Sequence, residues 1–545
     1  MTIAVRALMT AALTVAALFA QQKFEAIDVQ VSPKAPGMQF ARTQRQGNGR
    51  YEIHGTTIVD LIRIGYVVDP DRILGGPPWV EMERYDVVAK MPDHSDSTAI
   101  AEMVKALLAD RFKLVAREEK QALPGYALTV GKKPLMKPGD DSGDTGCRIH
   151  QDDAPPAAGG PVLMMSADGK VTRIALAAGG VIEYACRNMT MDSFVQLRGL
   201  IGTGVGNKTV VNQTGVPGKW DFNLRYSFNI LGGNNPDRIA FNEALEKQLG
   251  LKLSEISVPT PVVVIDSVER TPAPNPPGTA EALPPLPKAP TAFDAASIRS
   301  SEPGKFGGMT SMRGNRFTSE NNSLRGLIVQ AFRSSTMPFN EDAVAGIPAF
   351  ADSARYDVTA TASIADGGSV ETAPMIRSLL EERFKMKWHK EERPVNAYTL
   401  VAAKPKMKKA DPASRTHCVR GNGPAGSPQG TQTMTCQNVA MDEFADYLMA
   451  AGPGLFWPVR NSTGLEGGWD FTLTYGRGPA LAMAAAPAVG GGEGKAAPVA
   501  EASDPSGSLT IFEAVEKQLG LKLEMQKRPE QVVVIDHVEE KPTEN

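Results

Sequence analysis

The feature that most constrains this chain is that it is written twice: residues 24–270 and 293–540 carry the same anchors in the same order. Arg84-Tyr85-Asp86-Val87 answers Arg355-Tyr356-Asp357-Val358, and Arg111-Phe112-Lys113 after Leu107-Leu108 answers Arg383-Phe384-Lys385 after Leu379-Leu380. Tyr126 and Leu128 return as Tyr398 and Leu400, and Trp220-Asp221-Phe222 returns as Trp469-Asp470-Phe471. The stretch Glu246 to Leu253 is identical to Glu516 to Leu523, and both copies close on an apolar strand, Val262 to Asp266 and Val532 to Asp536. Self-similarity over so many anchors reports a tandem architecture.

Inside each copy the patterning reads as an amphipathic helix followed by two strands, four times along the chain. The halves fall at about 24–138 and 145–270, then 293–409 and 415–540. Ile100, Met103, Val104, Leu107 and Leu108 lie at helical spacing, as do Leu324, Leu327, Ile328, Ala331 and Phe332. Thr510 and Glu513 form a capping box, and Gly250 and Gly520 are placed to stop helices in the left-handed conformation. Trp220, Phe222, Leu224 and Tyr226 alternate with polar residues, and the second copy repeats this from Trp469 to Tyr475. The expected fold is therefore α+β, two tandem copies with antiparallel sheets and helices packed on one side.

Three segments lie outside the repeat. Residues 1–20 have Arg6, an apolar run from Ala7 to Phe19 and then Ala20, which reads as a cleaved secretory signal. That run is too short for a hydrocarbon layer roughly 30 Å thick. Residues 271–292 form a Pro/Ala-rich linker, expected to be an extended spacer between separate bodies. An Ala/Gly/Pro-rich insertion, 476–506, interrupts the second copy alone and has too little apolar surface to order itself.

With 58 basic and 61 acidic residues and no large basic block, a nucleic-acid groove is not expected. The densest basic run, Lys404 to Lys409, reads as a solvated loop. Four cysteines, two per copy, allow three pairings. Pairing within copies, Cys147 with Cys186 and Cys418 with Cys436, follows from the recurrence of the pair at one point of the repeat. A zinc site using His417 beside Cys418 is the alternative, weakened by Gly146 standing at the matching place.

The search for catalytic motifs returns no zinc-peptidase helix, nucleophile elbow or penicillin-recognising set. Gly491, Gly492 and Gly494 before Lys495 have no strand before them, and Asn207 spoils the phosphate-loop spacing of Gly199 to Thr209. None of the six histidines, 54, 94, 150, 389, 417 and 537, has a histidine counterpart in the other copy. No catalytic, cofactor-binding or metal residue is assigned. The carboxylates Asp86, Asp357, Asp221 and Asp470 are the acid/base candidates if the chain is a hydrolase. Trp79, in a Gly-Gly-Pro-Pro-Trp turn, reads as a packed anchor rather than a ligand contact.

Phe24 to Val29, Leu107 to Leu114, Asn461 to Leu465 leading to Trp469 to Leu473, and the closing Val534 to Glu539 resemble the uncharacterised secreted "soil-associated" family expanded in Acidobacteria. The resemblance implies an exported bacterial protein from a domain family of unknown function, some of whose members are similar to modules appended to sensor-type membrane metallopeptidases. Relatives mostly hold one copy, so the tandem form is a departure. A weaker resemblance, at the level of fold, is to the short N-terminal domains of secretins and TonB-dependent receptors.

The expectation is a periplasmic or secreted, non-catalytic binding or scaffold protein of the envelope, whose partner is an envelope protein or polymer. No cofactor is expected, and no transmembrane segment in the mature chain. The alternative is a secreted hydrolase acting on envelope or environmental polymer.

Overall fold

The computed structural model describes residues 22–33, 41–149, 181–197, 208–227, 239–286, 289–301, 309–333, 343–364, 371–424, 431–449, 459–476 and 509–543, with short pieces between them that include 162–167 and 170–175. The leader 1–20 and the insertion beyond Gly476 lie outside the described residues.

Each copy is built around one long two-stranded ribbon. In the first unit, Val115–Val130 runs antiparallel to Leu251–Ser267, from the Val115/Ser267 pair to the Val130/Leu251 pair. In the second, Lys387–Ala402 pairs with Leu521–His537 in the same way. A short strand is added in parallel at each margin: Val210–Asn212 and Ile73–Gly75 in the first unit, Arg460–Asn461 and Val344–Ala345 in the second. Exchanging the two halves of a unit maps this sheet onto itself.

Each half-unit contributes its own antiparallel sheet. In the first, strands Ala26–Val31, Tyr85–Lys90, Arg50–Thr56 and Arg42–Arg45 lie side by side in that order. In the second, Lys137–Pro138, Trp220–Ser227, Val181–Met189 and Gly146–Ile149 occupy the corresponding places. The second copy repeats both sheets with the same strand order. The expected helix-strand-strand rhythm is thus a piece of a longer unit. Its central strand leads to a short helix, the next strand to a second helix, and the second helix to one strand of the ribbon. Strand predominates over helix, and the marginal parallel strands make the ribbon sheet mixed rather than purely antiparallel.

The helices form where the sequence places them. Thr57 and Asp60 make a capping box at the start of Ile58–Tyr66, and Thr510 and Glu513 make another at Ile511. Met103, Val104, Leu107 and Leu108 are almost fully buried, as are Leu324, Leu327, Ile328 and Ala331. Gly250 and Gly520 adopt φ of 69° and 67° after the last helix of each unit. A Cβ there would meet the Lys133 and Lys404 carbonyl oxygens at 2.0 and 1.6 Å, so only glycine fits. Phe222, Leu224 and Tyr226 point inward, and Phe471, Leu473 and Tyr475 do the same.

Each half-unit gathers its own core, and the second unit adds a small cluster of Ala343, Val395, Ala397, Trp457, Val532 and Val534. Each core draws on one end of the ribbon: Val263 and Ile265 belong to the first half, Leu128 and Leu251 to the second. The halves therefore share their closing strand and are not separable at 138–145.

The linker behaves differently from a spacer. Asn275 accepts the Val29 amide at 3.0 Å and pairs with Arg111 and Asp28, while the Ala273 amide donates to the Arg111 carbonyl at 2.7 Å. Further on, Arg50 donates to the Pro284 carbonyl at 2.6 Å and Asn48 to that of Pro285 at 3.0 Å. The proline-rich segment lies along the first unit at Ala273, Asn275, Pro284 and Pro285.

Candidate functional site

The repeated polar residues meet their partners in the same way in every copy, and those partners are mostly backbone. A bulge interrupts the central strand of each half-unit, placing Gly55, Asn188, Asn321 and Asn438 at positive φ between 46° and 64°. The amide that each bulge turns aside is accepted by a strand aspartate. Gly55 donates to Asp86 at 2.8 Å, Asn188 to Asp221 at 2.8 Å, Asn321 to Asp357 at 2.7 Å and Asn438 to Asp470 at 2.9 Å. Ser32 and Ser301 add hydroxyl donors to Asp86 and Asp357, each at 2.7 Å. The four candidate acid/base carboxylates thus sit one to a half-unit, each engaged in holding its own bulge.

Their neighbours are spent similarly. Arg84 donates to the Gly55 carbonyl at 2.6 Å, and Arg355 to that of Asn321 at 3.1 Å. The Tyr85 hydroxyl donates to the Arg270 carbonyl at 2.6 Å, and Tyr356 does the same to Glu540. Burial, helped by Glu83, pushes the Tyr85 hydroxyl up to about 12. The buried Arg383 grips the Thr543 carbonyl at 2.7 Å, while Gln248 and Gln518 pair with the backbone of Arg225 and Thr474 as if they were a further strand.

Cys147 is bonded to Cys186 and Cys418 to Cys436, directly across neighbouring antiparallel strands. Each bond fastens an outer strand, Gly146–Ile149 or His417–Asn422, to the centre of its sheet. The sulfurs are therefore not thiolate ligands, and His417 faces the Arg415 carbonyl at 3.4 Å. Among the described residues no group of three or more His, Cys, Asp or Glu is placed to hold a metal ion, and no helix is long and apolar enough to cross a membrane.

Two histidines sit between carboxylates. His54 lies 3.2 Å from Glu52 and 3.7 Å from Asp86. His389 lies 3.0 Å from Asp536 and 3.3 Å from Glu391, where the first unit has Arg117 between Asp266 and Glu119. The counterpart of His389 is thus a permanent cation. Trp79 packs half-buried against its own core, and Phe350 takes the same role in the second unit. In the Lys404–Lys409 run, the Lys404 and Lys406 amides donate to the Gly520 and Leu519 carbonyls, and Lys409 covers the Trp469 ring at 4.7 Å. The four lysines are exposed and 403–407 is a loop after the ribbon strand, as expected, with Lys408–Lys409 then pairing with Trp469–Asp470.

One polar cluster joins the two units. Arg415 pairs with Glu81 and donates to the Ile73 carbonyl, and the Thr416 amide donates to the Pro78 carbonyl at 3.2 Å. Glu443 and Tyr447 come from the helix Met441–Met449 of the second unit. Burial raises the Glu443 carboxyl above its ordinary value, with Asp442, Asp446 and then Glu83 adding to the rise. Burial also raises Tyr447, reinforced by Glu81 and Glu443, and lowers Arg84 against the pull of Asp60 and Tyr447. The copies differ at several seam residues, with Asp144, Ser193 and Leu197 standing where the second copy has Arg415, Glu443 and Tyr447. The usable signal was Asp144 standing where the second copy has Arg415.

The sequence pattern of a family described as a protein of unknown function (DUF3738) matches residues 59–268 and again 325–538. The chain belongs to this family. It holds two DUF3738 regions in tandem, and each match spans both half-units and ends with the closing ribbon strand. No curated protein and no solved structure matches the chain. In DUF3738 terms, the polar residues common to both copies are the fastenings of the fold: bulge aspartates, arginine and tyrosine clamps, and strand-like glutamines.

Proposed function

We propose that this chain is an exported, non-catalytic binding or scaffold protein of the bacterial envelope, periplasmic or secreted, whose partner is an envelope protein or polymer. The observation that carries this reading is that the repeated strand aspartates and the arginine, tyrosine and glutamine beside them are occupied with backbone groups. A catalytic constellation shared by the two copies would need some of them turned toward a substrate. Two disulfides support an oxidising compartment. The seam and the bound linker favour a composite surface over two heads on a loose tether, since they set the spacing of the two units.

The test is purification of the exported protein from its native envelope with crosslinking, beside assays of the purified chain on polysaccharide and peptide substrates. The reading expects a specific retained partner and no turnover. Turnover that disappears when Asp86, Asp221, Asp357 and Asp470 are replaced by asparagine, with the fold intact, would establish the hydrolase instead.

A further inference from the structure

We infer that the seam is a charge-coded clasp that forms in one order only, first unit to second, and that the surface it fits is the second unit of the same chain. The contact is head-to-tail, joining the 73–84 face of one unit to the 415–447 face of the other. A head-to-tail contact between repeated units ordinarily leaves one face open at each end and invites growth by addition. Here the open faces carry different side chains.

On the 73–84 face, the second unit has Asp352 where the first has Glu81, and Ala354 where the first has Glu83. On the 415–447 face, the first unit has Asp144 for Arg415, Ser193 for Glu443 and Leu197 for Tyr447. Joining one chain to the next would therefore set Asp144 against Asp352, acid against acid. Like charges brought together across an interface oppose the wrong pairing as strongly as opposite charges favour the right one. Exposure agrees with this assignment. The Arg415 and Glu81 side chains are 14% and 24% exposed, whereas Asp144 is 75% exposed beside Arg148 and Asp352 is 55% exposed beside Arg325. The pair is closed because the unused face of the first unit carries the acid Asp144 in place of Arg415, so the acid Asp352 on the other unused face meets no cation across the contact.

The experiment uses the full chain, with hydrogen exchange followed by mass spectrometry and solution scattering. Glu81→Arg and Arg415→Glu are each expected to raise exchange in 73–84 and 441–449 by about tenfold and to extend the particle, and the double reversal to restore both. Protection of the 251–267 strand reports that each variant is folded. If a reversal disturbs that strand, Glu81→Gln and Arg415→Gln are read in its place, with the same seam exchange expected to rise. Unchanged seam exchange in folded single variants overturns the clasp, as does opening that the double reversal leaves unrepaired. Ultracentrifugation of the parent chain should show a monomer; head-to-tail growth with concentration would overturn the closure.

Discussion

The carboxylate of Asp470 accepts the backbone amide of Asn438 at 2.9 Å, across 32 residues of sequence. It does so because the bulge at Asn438 turns that amide out of the strand ladder and a buried donor needs an acceptor. Replacing Asp470 with alanine should cost roughly 1 to 3 kcal/mol, the range for stranding such a donor. Asp221→Ala should cost a similar amount, and the asparagine variants less, since an amide oxygen still accepts. Denaturant unfolding checks this, and an alanine variant as stable as the parent would contradict the role.

Lys113 and Lys385 hold φ of 50° and 52° at the ends of the first long helix in each unit, where the last helix uses Gly250 and Gly520. A left-handed conformation costs a side-chain-bearing residue about 1 to 2 kcal/mol. Lys113→Gly and Lys385→Gly should each stabilise by about 0.5 to 1 kcal/mol after the greater chain entropy of glycine is subtracted. Gly520→Ala should do the reverse and strongly. The order of melting temperatures, glycine variants above the parent and Gly520→Ala below it, is the readout.

The Cys418–Cys436 bond fastens the strand that begins two residues after Arg415, so it also braces the seam. Its 18-residue separation makes it worth roughly 3 kcal/mol in the chain-entropy model. Replacing both cysteines with serine should lower stability by about that amount and raise hydrogen exchange in 73–84. Replacing Cys147 and Cys186 should lower stability yet leave exchange at 73–84 unchanged. Equal effects of the two pairs on the seam would remove the bracing role.

Glu443 has a raised carboxyl pKa in the fold, from burial first and then from Asp442, Asp446 and Glu83. A raised folded value means the fold prefers the protonated acid. The resulting penalty is absent at low pH and grows as pH rises from the unfolded value through the folded one. Glu443→Gln keeps an acceptor for the Ala440 amide and removes the charge. The variant should melt above the parent near neutral pH and coincide with it below about pH 4. A stability gain that persists undiminished in acid would contradict this origin.

Much of the scaffold is readable from local pattern: the apolar stripes, the Thr510 capping box, the left-handed stops at Gly250 and Gly520, and cysteines recurring at one point of the repeat. Such features depend on residues a few positions apart. The role of the strand aspartates is not readable, because their partners are amides 31 to 36 residues away on residues of changing identity, glycine once and asparagine three times. Asn275 was hidden for the same reason, since its contacts with Arg111 and Asp28 span 164 and 247 positions. Composition could declare the linker stiff but not where it lies. The seam is legible only as a difference between copies, at Asp144 and Arg415, which a search for likeness passes over.

The ribbon also carries a hazard that its sequence answers. The closing strands 251–267 and 521–537 begin with the same Leu-Lys-Leu and share Val-Val-Val-Ile-Asp near their ends, so either could in principle be threaded into the wrong unit while the chain is still assembling. Between those matching ends the two strands diverge, and one divergent position, Val258 and Arg528, is buried in both. Val258 packs directly over Gly125, while the corresponding Arg528, 7% exposed, pairs with Glu530 at 2.6 Å. A traded strand would set a guanidinium on Gly125 and leave a valine where the second unit keeps its ion pair. With nearly identical fastenings at both ends of the ribbon, its middle is where the two closing strands are told apart by a buried residue.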